Sequence, residues 1–196
     1  MSHTELNALL ELLTWLFFDS RTGILIFLLT VAAVSDIRTR RIPNWLVVSG
    51  AIYGIIHNTA FPLTPHDNLL FPLSGLGLGL LLFLPLYLVR AMGAGDVKLL
   101  AMIGAFLGPT ETFYAALAAM VVGGVLALLA VLARGSTLAM FKNIASMFQL
   151  GAVSIASGSA PSMQIAPSVT AGKVPYAVAM AIGTIGYMVL HQLSFV

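Results

Sequence analysis

SDIRTRRIPN, residues 35–44, closes one apolar run and opens the next, and GAGDVKLL, residues 93–100, opens another. Each stretch holds a single aspartate, Asp36 or Asp96, where an apolar segment ends or begins. The chain around them has few charges to spend: of 196 residues 59% are hydrophobic, 8% are charged, and the mean hydropathy is +1.00. An ionisable group in or beside a bilayer is costly unless it is used, so two carboxylates at matched depths point to function.

Such a composition belongs to a polytopic membrane protein, and the expected fold is an all-α membrane helix bundle. Apolar segments run over residues 22–36, 44–57, 69–89, 96–108, 112–133 and 174–193, giving six candidate transmembrane helices. The third, fifth and sixth have the ~20 residues a crossing needs. The first, second and fourth are expected to be short, about 20 Å at ~1.5 Å per residue, which implies water entry or a thinned bilayer at that face. Leu6–Phe18 is apolar but parted from the first segment by Asp19 and Arg21, and it lacks the basic start and cleavage site of a signal peptide. Residues 1–21 are therefore expected to form an interfacial helix and residues 22–196 the membrane domain. Cysteine is absent, which excludes disulfides, thiolate metal sites and cysteine nucleophiles. A net charge of +2 gives no argument for nucleic acid.

Orientation follows from the short loops. With the N-terminus outside, Arg38, Arg40, Arg41, Arg90, Lys98, Arg134, Lys142 and Lys173 all fall on the cytoplasmic side and only Arg21 falls outside. The same threading brings Asp36 and Asp96 to the cytoplasmic ends of the first and fourth spans. Residues 134–173 are then cytoplasmic. Leu138, Phe141, Ile144, Ala145 and Phe148 have the spacing of a surface-lying helix, and Gly151–Gly172 is rich in Ser, Gly, Ala and Pro, as a flap or linker would be.

Asp36 followed by Arg38, Arg41, Pro43 and Asn44, then Gly93, Gly95, Asp96 and Lys98, then Lys173, Pro175 and Tyr176, resembles the type IV prepilin peptidases, intramembrane aspartic proteases of the GxGD class. The resemblance is closest to the short branch that serves tight-adherence (Flp-type) pili. Long-branch members carry a cytoplasmic domain with paired CxxC motifs and also methylate the new pilin N-terminus; the lack of cysteine and of that insertion argues against methyltransferase activity here. The resemblance implies catalytic Asp36 and Asp96, active-site support from Gly93, Gly95, Lys98 and Lys173, and substrate contacts from Arg38, Arg41, Pro43, Asn44 and Tyr176. It implies a bacterial inner-membrane enzyme that removes the short basic leader of a pilin-like precursor at the cytoplasmic face. Its partners are that precursor and the lipid bilayer, with no nucleic acid and no metal or organic cofactor.

The residue types make chemical sense of that activity. Peptide hydrolysis by two carboxyls needs one ionised group to take a proton from water and one protonated group to donate to the scissile carbonyl; close like charges let the pair share one proton. Helix position is expected to divide the roles, with Asp96 at a helix N-terminus as the base and Asp36 near a helix C-terminus as the acid. Gly93 and Gly95 are expected to permit positive φ before Asp96 and the approach of an extended substrate.

Each assignment has a plainer counterpart. Arg38, Arg40 and Arg41 also serve as topology anchors, and Lys98 and Lys173 can either reach the acids or face lipid phosphate. Gly75, Gly77 and Gly79 form a stripe suited to helix packing. Pro43 and Asn44 suit a helix start. His57, His66 and Asp67 fall on the side away from the acids and read as solvated loop groups rather than metal ligands. Membrane carboxylates also relay protons in transporters, and a non-enzymatic assembly subunit would need neither acid.

Overall fold

The computed structural model describes residues 20–62, 68–89, 91–133 and 175–193. The expected interfacial helix, the whole 134–173 connection with Lys173, and Arg90, His66 and Asp67 lie outside them. Six helices are the regular elements of the described residues: α1 Ser20–Thr39, α2 Asn44–Ala60, α3 Leu70–Leu88, α4 Ala94–Leu107, α5 Pro109–Ala133 and α6 Tyr176–Leu193. Each coincides with one of the six apolar segments. The chain is an all-helical bundle, and α1, α3, α5 and α6 are long and apolar enough to cross a membrane.

The first span departs from expectation. It is a 20-residue helix rather than a short one, because polar residues Ser20, Arg21 and Asp36 to Thr39 continue the helix past both ends of its apolar run. Only α2 and α4, with 17 and 14 residues, are short. α4 is also the most enclosed: every residue from Leu99 to Leu107 is buried. At ~1.5 Å per residue it spans about 21 Å, and a helix ringed by its neighbours need not match the bilayer thickness. Large apolar side chains turn outward from the longer helices, among them Phe27, Leu81, Val121 and Leu190, as they do when the surrounding medium is hydrocarbon.

Cross-helix contacts fix an up-and-down order. Ser20 Oγ at the start of α1 meets His57 Nε2 near the end of α2 (3.1 Å). Asn58, buried in α2, donates to the Ala105 and Phe106 carbonyls at the end of α4 (2.8 and 3.0 Å), groups that a helix C-terminus leaves unpaired. Tyr187 and His191 near the end of α6 meet Glu111 at the start of α5. The ends of α1, α3 and α5 and the starts of α2, α4 and α6 therefore share one end of the bundle.

α4 turns into α5 through one residue. Gly108 takes φ +79°, a conformation side chains disfavour, and Pro109 follows as the first residue of α5, where its missing N–H is no loss. The glycine stripe of α3 is used selectively. A Cβ on Gly75 would strike the Gly104 carbonyl of α4, and one on Gly79 would lie 2.5 Å from the Leu100 carbonyl, so the two backbones meet without side chains between them. A Cβ on Gly77 would meet nothing within 4 Å among the described residues, so it takes no part in that contact.

That contrast is measurable. Gly75→Ala should destabilise the protein by about 1–3 kcal/mol through overpacking, whereas Gly77→Ala should be neutral or stabilising by up to about 1 kcal/mol. Unfolding of the two variants in detergent compares them directly.

Candidate active site

The SDIRTRRIPN segment reverses the chain in few residues. Ser35 Oγ and Thr39 Oγ1, both on α1, donate to the Arg41 carbonyl (2.9 and 3.2 Å), and the Arg40 N–H donates to the Asp36 carbonyl (3.0 Å) with Arg40 at φ 54°. Pro43 then stands in extended backbone immediately before Asn44, the first residue of α2, as their sequence positions lead one to expect. Ile42 is left facing α4, where a Cβ on Gly95 would lie 3.4 Å from the Ile42 Cβ. One turn further along α4, Lys98 Nζ donates to Asn44 Oδ1 (3.1 Å). The two motifs, 50-odd residues apart in sequence, are thus knit together by one apolar and one polar contact.

Asp36, in the last turn of α1, is 8% exposed. A carboxylate so enclosed needs donors, and it finds one on the last helix: the Ala177 N–H donates to Asp36 Oδ2 (3.1 Å). Ala177 is the second residue of α6, so its N–H is one of those that a helix start leaves unpaired. Asp96, the third residue of α4, reaches back to its own helix start, where the Gly93 N–H donates to Asp96 Oδ2 (3.3 Å) and the Asp96 N–H donates to the Gly93 carbonyl (3.2 Å). Asp36 and Tyr176 each lie within electrostatic reach of Asp96. The acids, Gly93, Gly95, Lys98, Asn44, Pro43 and Tyr176 gather at one end of the bundle.

Two expectations are corrected by this geometry. Helix dipoles do not distinguish the acids, because Asp36 sits at the end of its own helix but binds the N-terminus of α6; both carboxylates therefore face helix N-termini. Positive φ before Asp96 is not what the glycines supply. Gly93 is extended at φ −79°, ψ 150°, and Gly95 is helical. Gly93 instead leaves room for the returning carboxylate, since a Cβ there would lie 3.2 Å from Asp96 Oδ2, and Gly95 leaves room for Ile42.

Arg38, Arg40 and Arg41 are exposed at the same end, as topology anchors would be. His57 is not a loop group: it lies within α2, against Tyr53 and Phe61. No group of three or more potential metal ligands occurs among the described residues. Sequence reading missed the Ala177 N–H, for which no side-chain signal exists, and Ile42, whose place inside a motif gave it away only in retrospect.

The fold and the site define a class of protein: a multi-pass helical bundle that presents two acidic side chains together at one end. The chain belongs to the type IV leader peptidase family, whose sequence profile matches residues 23–128. That stretch holds both aspartates and runs from α1 into α5; α6, which binds Asp36, lies beyond it. No curated protein and no solved structure matches the chain.

The Lys98–Asn44 contact predicts a coupled pair. Lys98→Met and Asn44→Ala should each destabilise modestly, and the double variant should be less damaged than their sum by about 0.5–1 kcal/mol. Strict additivity in detergent unfolding would show that the contact contributes nothing.

Proposed function

We propose that the protein is an aspartic endopeptidase of the cytoplasmic membrane that cleaves the basic leader from a pilin-like precursor, with Asp36 and Asp96 as the catalytic pair. Membership of a leader-peptidase family gives the reaction class. The observation that carries the residue assignment is the convergence of two carboxyls from separate helices, each held through Oδ2 by one backbone N–H. Among the described residues the hydrogen bonds to both acids fall on Oδ2, so the proposed chemistry uses Oδ1 of each to meet a water and a peptide carbonyl.

Hydrolysis then proceeds with balanced proton transfers. The ionised carboxyl takes a proton from water as its oxygen attacks the scissile carbonyl carbon, and the protonated carboxyl gives its proton to the carbonyl oxygen. The tetrahedral diol collapses with a proton passing to the amine, which leaves, and the pair is restored with one proton between its members. Lys98 and Asn44 fix the α2 and α4 starts that frame the site, and Tyr176 stands on its α6 side.

The cytoplasmic placement rests on charge. Arg38, Arg40, Arg41 and Lys98 share the end that carries the acids, while Arg21 begins α1 at the other. A pilin-like precursor with a basic leader and an apolar helix would present its cleavage point at that boundary. The Flp-type reading is supported by the absence of cysteine and of an insertion between the first two spans.

Cleavage of a purified pilin precursor tests the proposal. Asp36→Asn and Asp96→Asn should each slow turnover by about 10²–10⁴-fold, and chelators should leave the wild-type rate unchanged because two carboxyls and water suffice. A transporter or an assembly subunit would show no cleavage that depends on both acids.

A further inference from the structure

Tyr176 is the first residue of α6, immediately before the Ala177 N–H that holds Asp36. Its ring is wedged between two other helices. On one side is Gly123 of α5, where a Cβ would lie 2.7 Å from Tyr176 Cε2 and 3.4 Å from Cζ. On the other is Phe83 of α3, edge-on with ring centroids 6.0 Å apart and itself 1% exposed. A ring backed by a fully buried phenylalanine cannot step aside cheaply, because close-packed interiors transmit strain rather than absorb it.

We propose that Gly123 and Tyr176 form a notch and key that set the position of the α6 N-terminus, and through the Ala177 N–H the position of the Asp36 carboxyl relative to Asp96. This rests on the peptidase reading of the same site. Gly123 and Tyr176 are positioning residues in that role: Gly123 touches neither acid, and its missing Cβ determines how closely α6 approaches α5 beside the site. The neighbouring glycine supplies a built-in control. Among the described residues a Cβ on Gly124 meets nothing within 4 Å, so the same chemical change one residue along leaves the notch intact. Lower down, Gly183 of α6 packs on the Ala119 backbone, where a Cβ would lie 2.6 Å from its Cα, so the two helices are seated independently of the notch.

Steady-state cleavage of the pilin precursor by Gly123→Ala, Gly124→Ala, Tyr176→Leu and the Gly123→Ala/Tyr176→Leu double variant decides it. Gly123→Ala should lower kcat by about 10–100-fold with KM within about twofold, since displacing a reacting group by a fraction of an ångström to an ångström costs that much. Gly124→Ala should match wild type. Tyr176→Leu should be slow, and adding Gly123→Ala to it should cost nothing further, because the methyl no longer meets a ring. A Gly123→Ala enzyme within twofold of wild type overturns the proposal, as does a double variant whose defect is the product of the two single ones. If Gly123→Ala does not accumulate as folded protein, the double variant measured against Tyr176→Leu gives the same decision. Asp36→Asn and Asp96→Asn run in parallel separate the two claims: full activity in either sinks the assignment of the catalytic pair, while inactive aspartate variants beside an unaffected Gly123→Ala sink only the notch.

Discussion

A buried carboxylate on the first helix caps the last one. Asp36 and the Ala177 N–H are 141 residues apart in sequence and 3.1 Å apart in space. Neither group is comfortable alone: Asp36 is 8% exposed, and the α6 start has N–H groups with no partner inside the helix. A hydrogen bond to a charged group typically contributes about 1.5–3 kcal/mol, and removing one partner costs the desolvation of the other as well. The bundle closes between α1 and α6 at the point where it presents its acids.

The rest of the site depends on α4 being held at the centre. Its C-terminal carbonyls are met by Asn58, its flank lies against the glycines of α3, and its N-terminus is tied to the α1–α2 connection through Ile42 and to α2 through Lys98. Asp96 needs no long-range partner for its position, since it binds the start of its own helix. The two acids are thus held by opposite strategies. One is placed by local capping geometry, the other by a contact that exists only when the whole chain has folded.

That difference explains how much could be read from the chain alone. All six described helices, and the helix start at Pro43 and Asn44, follow from apolar segment length and from proline placement, which are local properties. The convergence of Asp36 and Asp96 at one end followed from counting spans and placing basic residues. What stayed hidden involved backbone groups or empty space. The Ala177 N–H has no signature in its residue type, and it cancels a dipole argument that rests on Asp36 only as the end of α1. Gly123 and Gly124 are indistinguishable as letters, yet only one faces a ring. The cluster of Glu111, Tyr187 and His191 at the far end of the bundle joins residues from helices whose pairing no local pattern announces. The length of α1 is not legible from its apolar run, because polar residues at both ends continue the helix.

Placing both acids at one end suits the proposed chemistry. A dyad at the boundary can draw water and meet a peptide that leaves the bilayer, which a pair at mid-membrane could not do without a channel. The absence of cysteine from the chain allows a direct test of that placement. Asp36→Cys and Asp96→Cys introduced together can be probed in membranes for disulfide formation or capture by a short bifunctional thiol reagent, with Asp96→Cys/Tyr187→Cys as the pair drawn from opposite ends. Expected is efficient cross-linking of positions 36 and 96 and none of 96 with 187; failure of 36 and 96 to cross-link above the level of the distant pair would contradict a shared catalytic site.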